Sequence, residues 1–280
     1  IYRVGGGCHW DYMMHTYPLM QTVFGKIVMC LNPRHSSLLF LERIIFKRKH
    51  YRQITCISEQ CKKEIVNHYK VSPHTIEIIY NGVNISIFTP KNRTTYRDTV
   101  RATYGIAPDE VLLLFVGSGF KRKGLKYVIE ALSLINKSQK TKLLVVGKGT
   151  IREHQRLARK NGVLDKLIFA GVCKHIQEIY AGGDIFVFPS EYDAFGTACL
   201  EAMASGLPVI ASKSSGVSEI IAQGQDGFVI HHPIDAREIA KYMNVLFTKE
   251  KREQMGCAAR QKAEMYSFEA NTEKTLQVYR

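Results

Sequence analysis

The chain has 280 residues, enough for one large or two ordinary domains. At 45% hydrophobic and 23% charged it can bury a core, which excludes a disordered protein, and no apolar run reaches the roughly 18–20 residues that span a bilayer. A net charge of +14 calls for anionic partners: nucleic acid, phosphate-bearing substrates or an anionic membrane surface.

Ile1 to Val4 reads as the end of a strand and Gly5-Gly6-Gly7 as a loop. The chain opens on Ile1, without a Met, in a strand that enters a glycine loop, so an upstream segment is expected. Ser36 to Lys49 carries Leu38, Leu39, Leu41, Ile44 and Ile45 at helical spacing, and predicts a helix ending in Lys47, Arg48, Lys49 and His50. Gln53 to Ile57 is a short strand. Ser58 caps a helix that runs to about Tyr69. Ile76 to Ile79 is a strand stopped by Asn81-Gly82, a strong turn signal. Residues 90–108 are polar with few apolar anchors and read as a linker and lead-in between domains.

The second half alternates strand and helix. Val111 to Val116 is all apolar, as in a parallel strand buried on both faces. Further strands are expected at 142–146, 167–170, 185–188, 208–211 and 227–230. Helices are expected at 125–134, 151–161, 175–181, after Gly196, and at 218–222, 235–248, 249–264 and 267–280. This order predicts a doubly wound α/β fold, without internal repeats or low-complexity segments.

Cysteines stand at 8, 30, 56, 61, 173, 199 and 257 with no CxxC pair, which argues for reduced thiols in a cytosolic protein and against a zinc site. Charge is concentrated early. Residues 1–70 hold eleven Lys/Arg against four acids.

Ligands of doubly wound sheets bind outside the carboxyl ends of the strands. One loop there, "VGSGFKRKG" (116–124), holds three glycines and three cations and opens a helix, which suits phosphate. It is neither a Walker loop nor a GxGxxG fingerprint, and a basic surface loop stays open. In "SEYDAFGTACLEAMASGLPVIAS" (190–212), Gly196-Thr197-Ala198 starts a helix whose free N–H groups can receive a diphosphate. Glu201, about one turn in, can accept two hydrogen bonds from a ribose diol, and Asp193 can face the other end of the same ligand. As plain structure, Asp193 would cap the helix and Glu201 would be solvated. "VVGKGT" (145–150) and "FAGV" (169–172) are glycine turns against which a nucleobase could lie, or ordinary strand-to-helix turns. In "GGGCHWDY" (5–12), His9 could touch a sugar hydroxyl, although a lone His is more often structural. Trp10 and Tyr12 could line a carbohydrate site or simply pack.

Together these residues resemble glycosyltransferase family 4, retaining enzymes of GT-B fold. Two acids eight positions apart, Asp193 and Glu201 with Phe195-Gly196 between, look like the family's donor-site motif. "VGSGFKRKG" is similar to its Gly-Arg…Lys-Gly loop, and "IIYNGVNISIFTP" (78–90) to its hinge-side turn. The wording of the loop resembles the lipopolysaccharide-core glucosyltransferase subgroup. The resemblance implies two Rossmann-like domains: the last part of an acceptor-side domain over 1–95, a donor domain over 96–266, and a helix over 267–280 packing back toward the first.

It also implies roles. Lys123 and Arg122 would neutralise the donor diphosphate within a loop that includes Gly117 and Ser118. Phe195, Gly196, Thr197 and Ala198 would offer backbone N–H groups, and Glu201 would hold the ribose. Asp193 would contact the transferred sugar, with His9 across the cleft and the turns at Gly147 and Val172 beside the donor. No metal and no cofactor is implied; a nucleotide-diphospho-sugar, UDP-linked, is the co-substrate. The acceptor would be a lipid-linked or envelope glycan, reached at the inner face of the cytoplasmic membrane through the basic segment Arg43 to Arg52. Three departures stand out: Asp193 replaces the usual Glu, Ser118 stands where many members have Arg, and the first domain is incomplete. They motivate a second reading, a non-catalytic nucleotide-sugar-binding remnant or partner subunit. Nucleic-acid binding rests on charge alone, since the cations lack interleaved aromatics.

Overall fold

The structure is a computed structural model and describes residues 1–47, 51–232 and 234–279. The elements, in chain order, are β1 (Tyr2–Val4), α1 (His9–Thr16), α2 (Val23–Leu31), α3 (Pro33–Lys47), β2 (Ile54–Cys56), α4 (Glu59–Tyr69), β3 (Ile76–Ile78), α5 (Asn92–Thr103), β4 (Val111–Val116) and α6 (Leu125–Leu134). There follow β5 (Thr141–Val146), α7 (Ile151–Lys160), β6 (Leu167–Gly171), α8 (Ile176–Gly182), β7 (Ile185–Phe188), α9 (Thr197–Ala204), β8 (Val209–Ser212), β9 (Gly227–Ile230), α10 (Ala236–Leu246), α11 (Lys249–Glu264) and α12 (Phe268–Tyr279).

Two parallel sheets result. One has three strands in the order β1-β2-β3; the other has six in the order β6-β5-β4-β7-β8-β9. The chain walks outward from β4 to β6, then returns to place β7 on the other side of β4. The strand order therefore reverses between β4 and β7, and the loops leaving those two strands diverge at their carboxyl ends. A crevice forms at such a switch point. The pattern inside β4 shows why it is central. Leu112 and Leu114 face one buried cluster while Val111, Leu113 and Phe115 face another. Residues of the small sheet, such as Val4 and Ile54, belong to the first of these clusters, so its core is continuous with that of the large sheet. Each fully buried Phe or Leu contributes about 1.5–3 kcal/mol.

Three sequence expectations need correction. Residues 90–108 are not a plain linker, because α5 forms there and packs against α8. Its inward face is built from Arg93, Arg97 and Arg101, four apart, and all three guanidiniums reach the carboxylate of Asp184. The expected helix at 218–222 is instead a 3-10 turn over Gly216–Glu219. The helix expected over 36–49 starts earlier, at Pro33, and is described to Lys47. Arg48, Lys49 and His50, expected to end it, lie outside the described residues. Helices α1 and α2 had no counterpart in the sequence reading.

α12 lies against the three-stranded half. Phe268 N–H donates to the Val83 carbonyl at 3.0 Å, and Asn271 Nδ2 donates to the Tyr80 carbonyl at 2.5 Å.

Candidate active site

The loop after β4 turns through Gly117 and Gly119, both at positive φ, and closes with a bond from Lys123 N–H to the Gly119 carbonyl at 3.0 Å. That closure aims the next side chains toward the loop after β7. The Lys123 ammonium is ion-paired with Asp193 Oδ2 and stands 4.5 Å from the centre of the Phe188 ring. Arg122 Nη1 donates to the Tyr192 carbonyl at 2.7 Å and lies 3.6 Å from the same Asp193 oxygen. Two cations from one side of the switch point thus converge on one carboxylate from the other.

Asp193 does not cap α9. Its Oδ1 accepts from Phe195 N–H at 3.2 Å, and its backbone pairs with Ser214 and Gly216. The cap is Gly196, at φ 92°. A Cβ there would meet Ser215 Oγ at 2.7 Å and the Phe188 ring at 3.1 Å, so glycine is required on both conformational and steric grounds. The first N–H groups of α9 have no partner within the helix, which makes its mouth a natural seat for an anion.

The two halves meet at a cleft of about 240 Å³. Gly5, Gly6 and Tyr12 line it from the small-sheet side, and Arg122, Asp193, Phe195, Gly196 and Thr197 from the other. Asn81, legible in sequence only as a turn, bridges them: it accepts from Arg3 at 3.3 Å and donates to Thr197 Oγ1 at 3.4 Å.

Other expected site residues sit elsewhere. His9 does not line this cleft. Its Nε2 is 2.9 Å from His35 Nδ1, and its N–H donates to Glu42 Oε1 at 2.9 Å. Burial, then the neighbouring His35 and Arg34, hold the imidazole below its usual range. Glu201 is also outside the cleft lining. Its Oε2 accepts from the buried Tyr180 hydroxyl at 2.9 Å, and among the described residues it has no cationic partner. Burial raises its carboxyl, with the Tyr180 bond acting in the opposite sense. The two acids of the motif therefore occupy unlike settings, one neutralised by cations and one held by a phenol.

Ser118, Gly147 and Val172 follow β4, β5 and β6 and form a second row along the same carboxyl edge. Lys148 N–H donates to Ser118 Oγ at 3.2 Å, and Gly147 N–H to the Gly171 carbonyl at 2.7 Å. Val172 is exposed. The Ala198 carbonyl accepts from Tyr180 Oη at 3.1 Å.

The joint between the halves had no signature in the sequence. Glu64 on α4 is buried; its Oε2 accepts from Cys8 N–H at 3.0 Å and from the Tyr192 hydroxyl at 2.9 Å. Glu219 reaches across to accept the N–H groups of Glu59 and Gln60 at 2.8 and 3.0 Å, satisfying the open end of α4. Ser58 caps the same helix and donates to the Ala194 carbonyl at 2.8 Å. Among the described residues, Cys8, Asp11 and Glu64 bring metal-type donor atoms within 4.8 Å of one another. Both Glu64 oxygens already accept hydrogen bonds, and burial, ahead of the nearby carboxylates, pushes the Cys8 thiol far up. Glu64 is thereby engaged in the joint between the halves.

Two parallel α/β halves, meeting at a cleft by the switch point of the larger sheet, define a GT-B protein. The structure superposes on the crystal structure of WaaG, a glycosyltransferase involved in lipopolysaccharide biosynthesis, with a TM-score of 0.81 and 25% identity, covering 99% of this chain and 74% of that one. It shares its fold with Anabaena HepE, solved with UDP and glucose, at a TM-score of 0.77 and 19% identity, covering 89% of this chain and 69% of that one. Residues 96–262 match the model of glycosyl transferases group 1, and residues 7–87 that of glycosyltransferase family 4. The chain belongs to the group 1 glycosyl transferase family.

Among curated relatives it is 31% identical over 182 residues to the uncharacterized glycosyltransferase MJ1607 of Methanocaldococcus jannaschii, covering 64% of this chain and 47% of that one. It is 28% identical over 221 residues to the lipopolysaccharide glucosyltransferase WaaG of Escherichia coli K12, covering 78% of this chain and 59% of that one. The chain spans about half the length of these relatives.

Proposed function

We propose that this protein is a retaining, metal-independent glycosyltransferase that moves a hexose from a UDP-sugar to a lipid-linked or envelope glycan, such as lipopolysaccharide core. The observation that carries the reading is the convergence of Lys123 and Arg122 on Asp193 beside the mouth of α9. A diphosphate entering the cleft would compete with Asp193 for these cations and gain the N–H groups at Gly196 and Thr197. Asp193, released, would accept hydrogen bonds from the sugar hydroxyls. Charge developing on the leaving UDP in a front-face displacement would be met by the ammonium, the guanidinium and the helix terminus, the work a metal ion does elsewhere. Glu201 would turn from Tyr180 to the ribose diol, and His9, outside the cleft lining here, would have to leave His35 to reach the sugar. The name of WaaG and the complex of HepE with UDP and glucose support the donor and acceptor classes. The test is UDP release from a panel of UDP-sugars with glycan acceptor. Activity with at least one sugar, abolished by Glu201→Ala, is expected; release unaffected by that change would contradict the assignment.

Membrane contact at the cytoplasmic face is part of the same reading. Among the described residues no helix is long and apolar enough to cross a membrane. Instead α2 exposes Val23, Phe24 and Leu31 by 71–77%, and α3 exposes Phe40 and Leu41, and the same two helices carry Lys26, Arg34 and Arg43. The sequence pointed to the basic segment Arg43 to Arg52, but the most exposed apolar side chains are on α2. An amphipathic surface of this kind binds anionic lipid through both terms. Reversing Lys26, Arg34 and Arg43 to Glu should release the protein from anionic vesicles in a flotation assay; unchanged flotation would reject the contact.

The second reading, nucleotide-sugar binding without turnover, is favoured by Asp193 in the place of the longer Glu. UDP binding with no release from any sugar would select it.

A further inference from the structure

The opposite end of the six-stranded sheet carries a second basic cavity. Its volume is about 360 Å³, within the range of roughly 300–1,000 Å³ typical of small-molecule sites. Asp184, just before β7, and Pro208, just before β8, place it at the amino ends of the strands. The donor cleft lies at their carboxyl ends, so the two sites do not overlap. Arg93 and Arg97 enter the cavity from α5, and Lys249, Arg252 and Arg260 from α11.

The charges do not balance. Arg93, Arg97 and Arg101 share the one carboxylate of Asp184, at 3.4, 2.8 and 3.1 Å. Arg252 has no carboxylate partner among the described residues; its Nη1 donates only to the carbonyls of Leu246 and Phe247, at 2.9 and 2.8 Å. Lys249 has Glu253 at 3.8 Å, and Arg260 is paired with Glu264. Removing Arg260 and Lys249 with their partners leaves Arg93, Arg97 and Arg252 in the lining, with Arg101 behind it, against the one carboxylate of Asp184. Burial, and then the proximity of Arg97, hold Arg93 below the ordinary guanidinium range. Arg252 is lowered by burial first; Asp184 opposes this and Arg97 adds to it. Like charges crowded at the rim of a cavity are relieved by a bound anion, and a guanidinium with a free edge suits an oxyanion best.

We propose that this cavity binds a phosphate-class anion between α5 and α11, with Arg252 as its principal ligand and Arg97 and Lys249 beside it. The natural ligand would be a soluble phosphate or diphosphate, free or on a small molecule.

The test uses pyrophosphate calorimetry at constant ionic strength on the chain carrying Lys123→Ala. That change weakens the donor seat, and dependence on Arg252, which lies outside the cleft, separates the outcome from the reading of the cleft. One-site binding is expected. Arg252→Gln in that background should weaken it by about tenfold or more, the loss of a charge-assisted bond. Because Arg252 also ties down the end of α10, a second variant guards against misfolding. Glu253→Gln removes an exposed carboxylate at the rim and should tighten binding by about threefold, as expected for relief of a like-charge neighbour near the surface. Absence of binding at millimolar pyrophosphate, or affinity unchanged by Glu253→Gln and by a folded Arg252→Gln, would overturn the proposal. Vesicles containing phosphatidic acid serve as a further arm. Arg252-dependent binding of the vesicles without binding of pyrophosphate or inorganic phosphate would overturn the soluble source.

Discussion

The hydroxyl of Tyr192 donates to Glu64 Oε2 at 2.9 Å and so ties the loop that carries Asp193 to the small-sheet half. The same carboxylate oxygen accepts from Cys8 N–H at 3.0 Å, at the end of the glycine loop that lines the cleft. One buried carboxylate therefore sets the separation of the two cleft walls. Tyr192→Phe removes one donor from a buried acceptor and should lower stability by about 1–3 kcal/mol in urea unfolding. A variant with unchanged midpoint would show that the bond does not hold the joint.

At Gly196 the mouth of α9 depends on φ 92° and on space that a Cβ would take from Ser215 Oγ. Gly196→Ala should cost about 1–3 kcal/mol, as for a residue forced into a sparsely populated backbone region. It should also weaken UDP binding, because the N–H groups at the helix start would be turned. Wild-type affinity in a folded Gly196→Ala chain would remove the helix mouth from the site.

Glu201 gives a pH prediction. Burial holds its carboxyl above the usual glutamate value, so the folded state binds the proton more tightly than the unfolded state does. Ionised Glu201 is then a burden above its folded pKa, and the burden is lifted as pH falls from there toward the unfolded value near 4.5. Glu201→Gln keeps an acceptor for Tyr180 and carries no charge. Its urea midpoint should exceed wild type at pH 8, and the gap should close as pH is lowered toward 4.5. A gap that widens with acid would reverse the sign and refute this account.

Asp184 anchors α5 to the sheet by accepting from three arginines and from Leu112 N–H at 2.8 Å. Burial pushes its carboxyl up, but Arg97, the Leu112 bond and Arg93 bring it below the usual aspartate value. Asp184→Ala strands these guanidiniums and should cost about 3–5 kcal/mol in denaturant unfolding. A cost under about 1 kcal/mol would mean that water replaces the carboxylate, as at a surface pair.

What could be read from sequence divides along a physical line. Strands such as Val111–Val116 and helices such as Leu125–Leu134 were legible because apolar side chains carry their burial pattern. Helix α5 was not, because apart from Val100 its inward side is Arg93, Arg97 and Arg101, and hydrophobic periodicity is blind to arginines paired with a carboxylate 83–91 residues away. The loops of Lys123 and Asp193 stood out by glycine and charge, but their pairing depends on the sheet reversing between β4 and β7. Glu64 and Glu219 gave no local signal, since each earns its place through donors across the joint.

The most direct test of the central claim is calorimetric titration of UDP into this chain and into its Lys123→Ala variant. Binding to the wild-type chain, weakened at least about tenfold by loss of the ammonium, is the predicted result. No binding, or equal affinity in both, would contradict the assignment of the Lys123–Asp193 cleft as the seat of a nucleotide diphosphate.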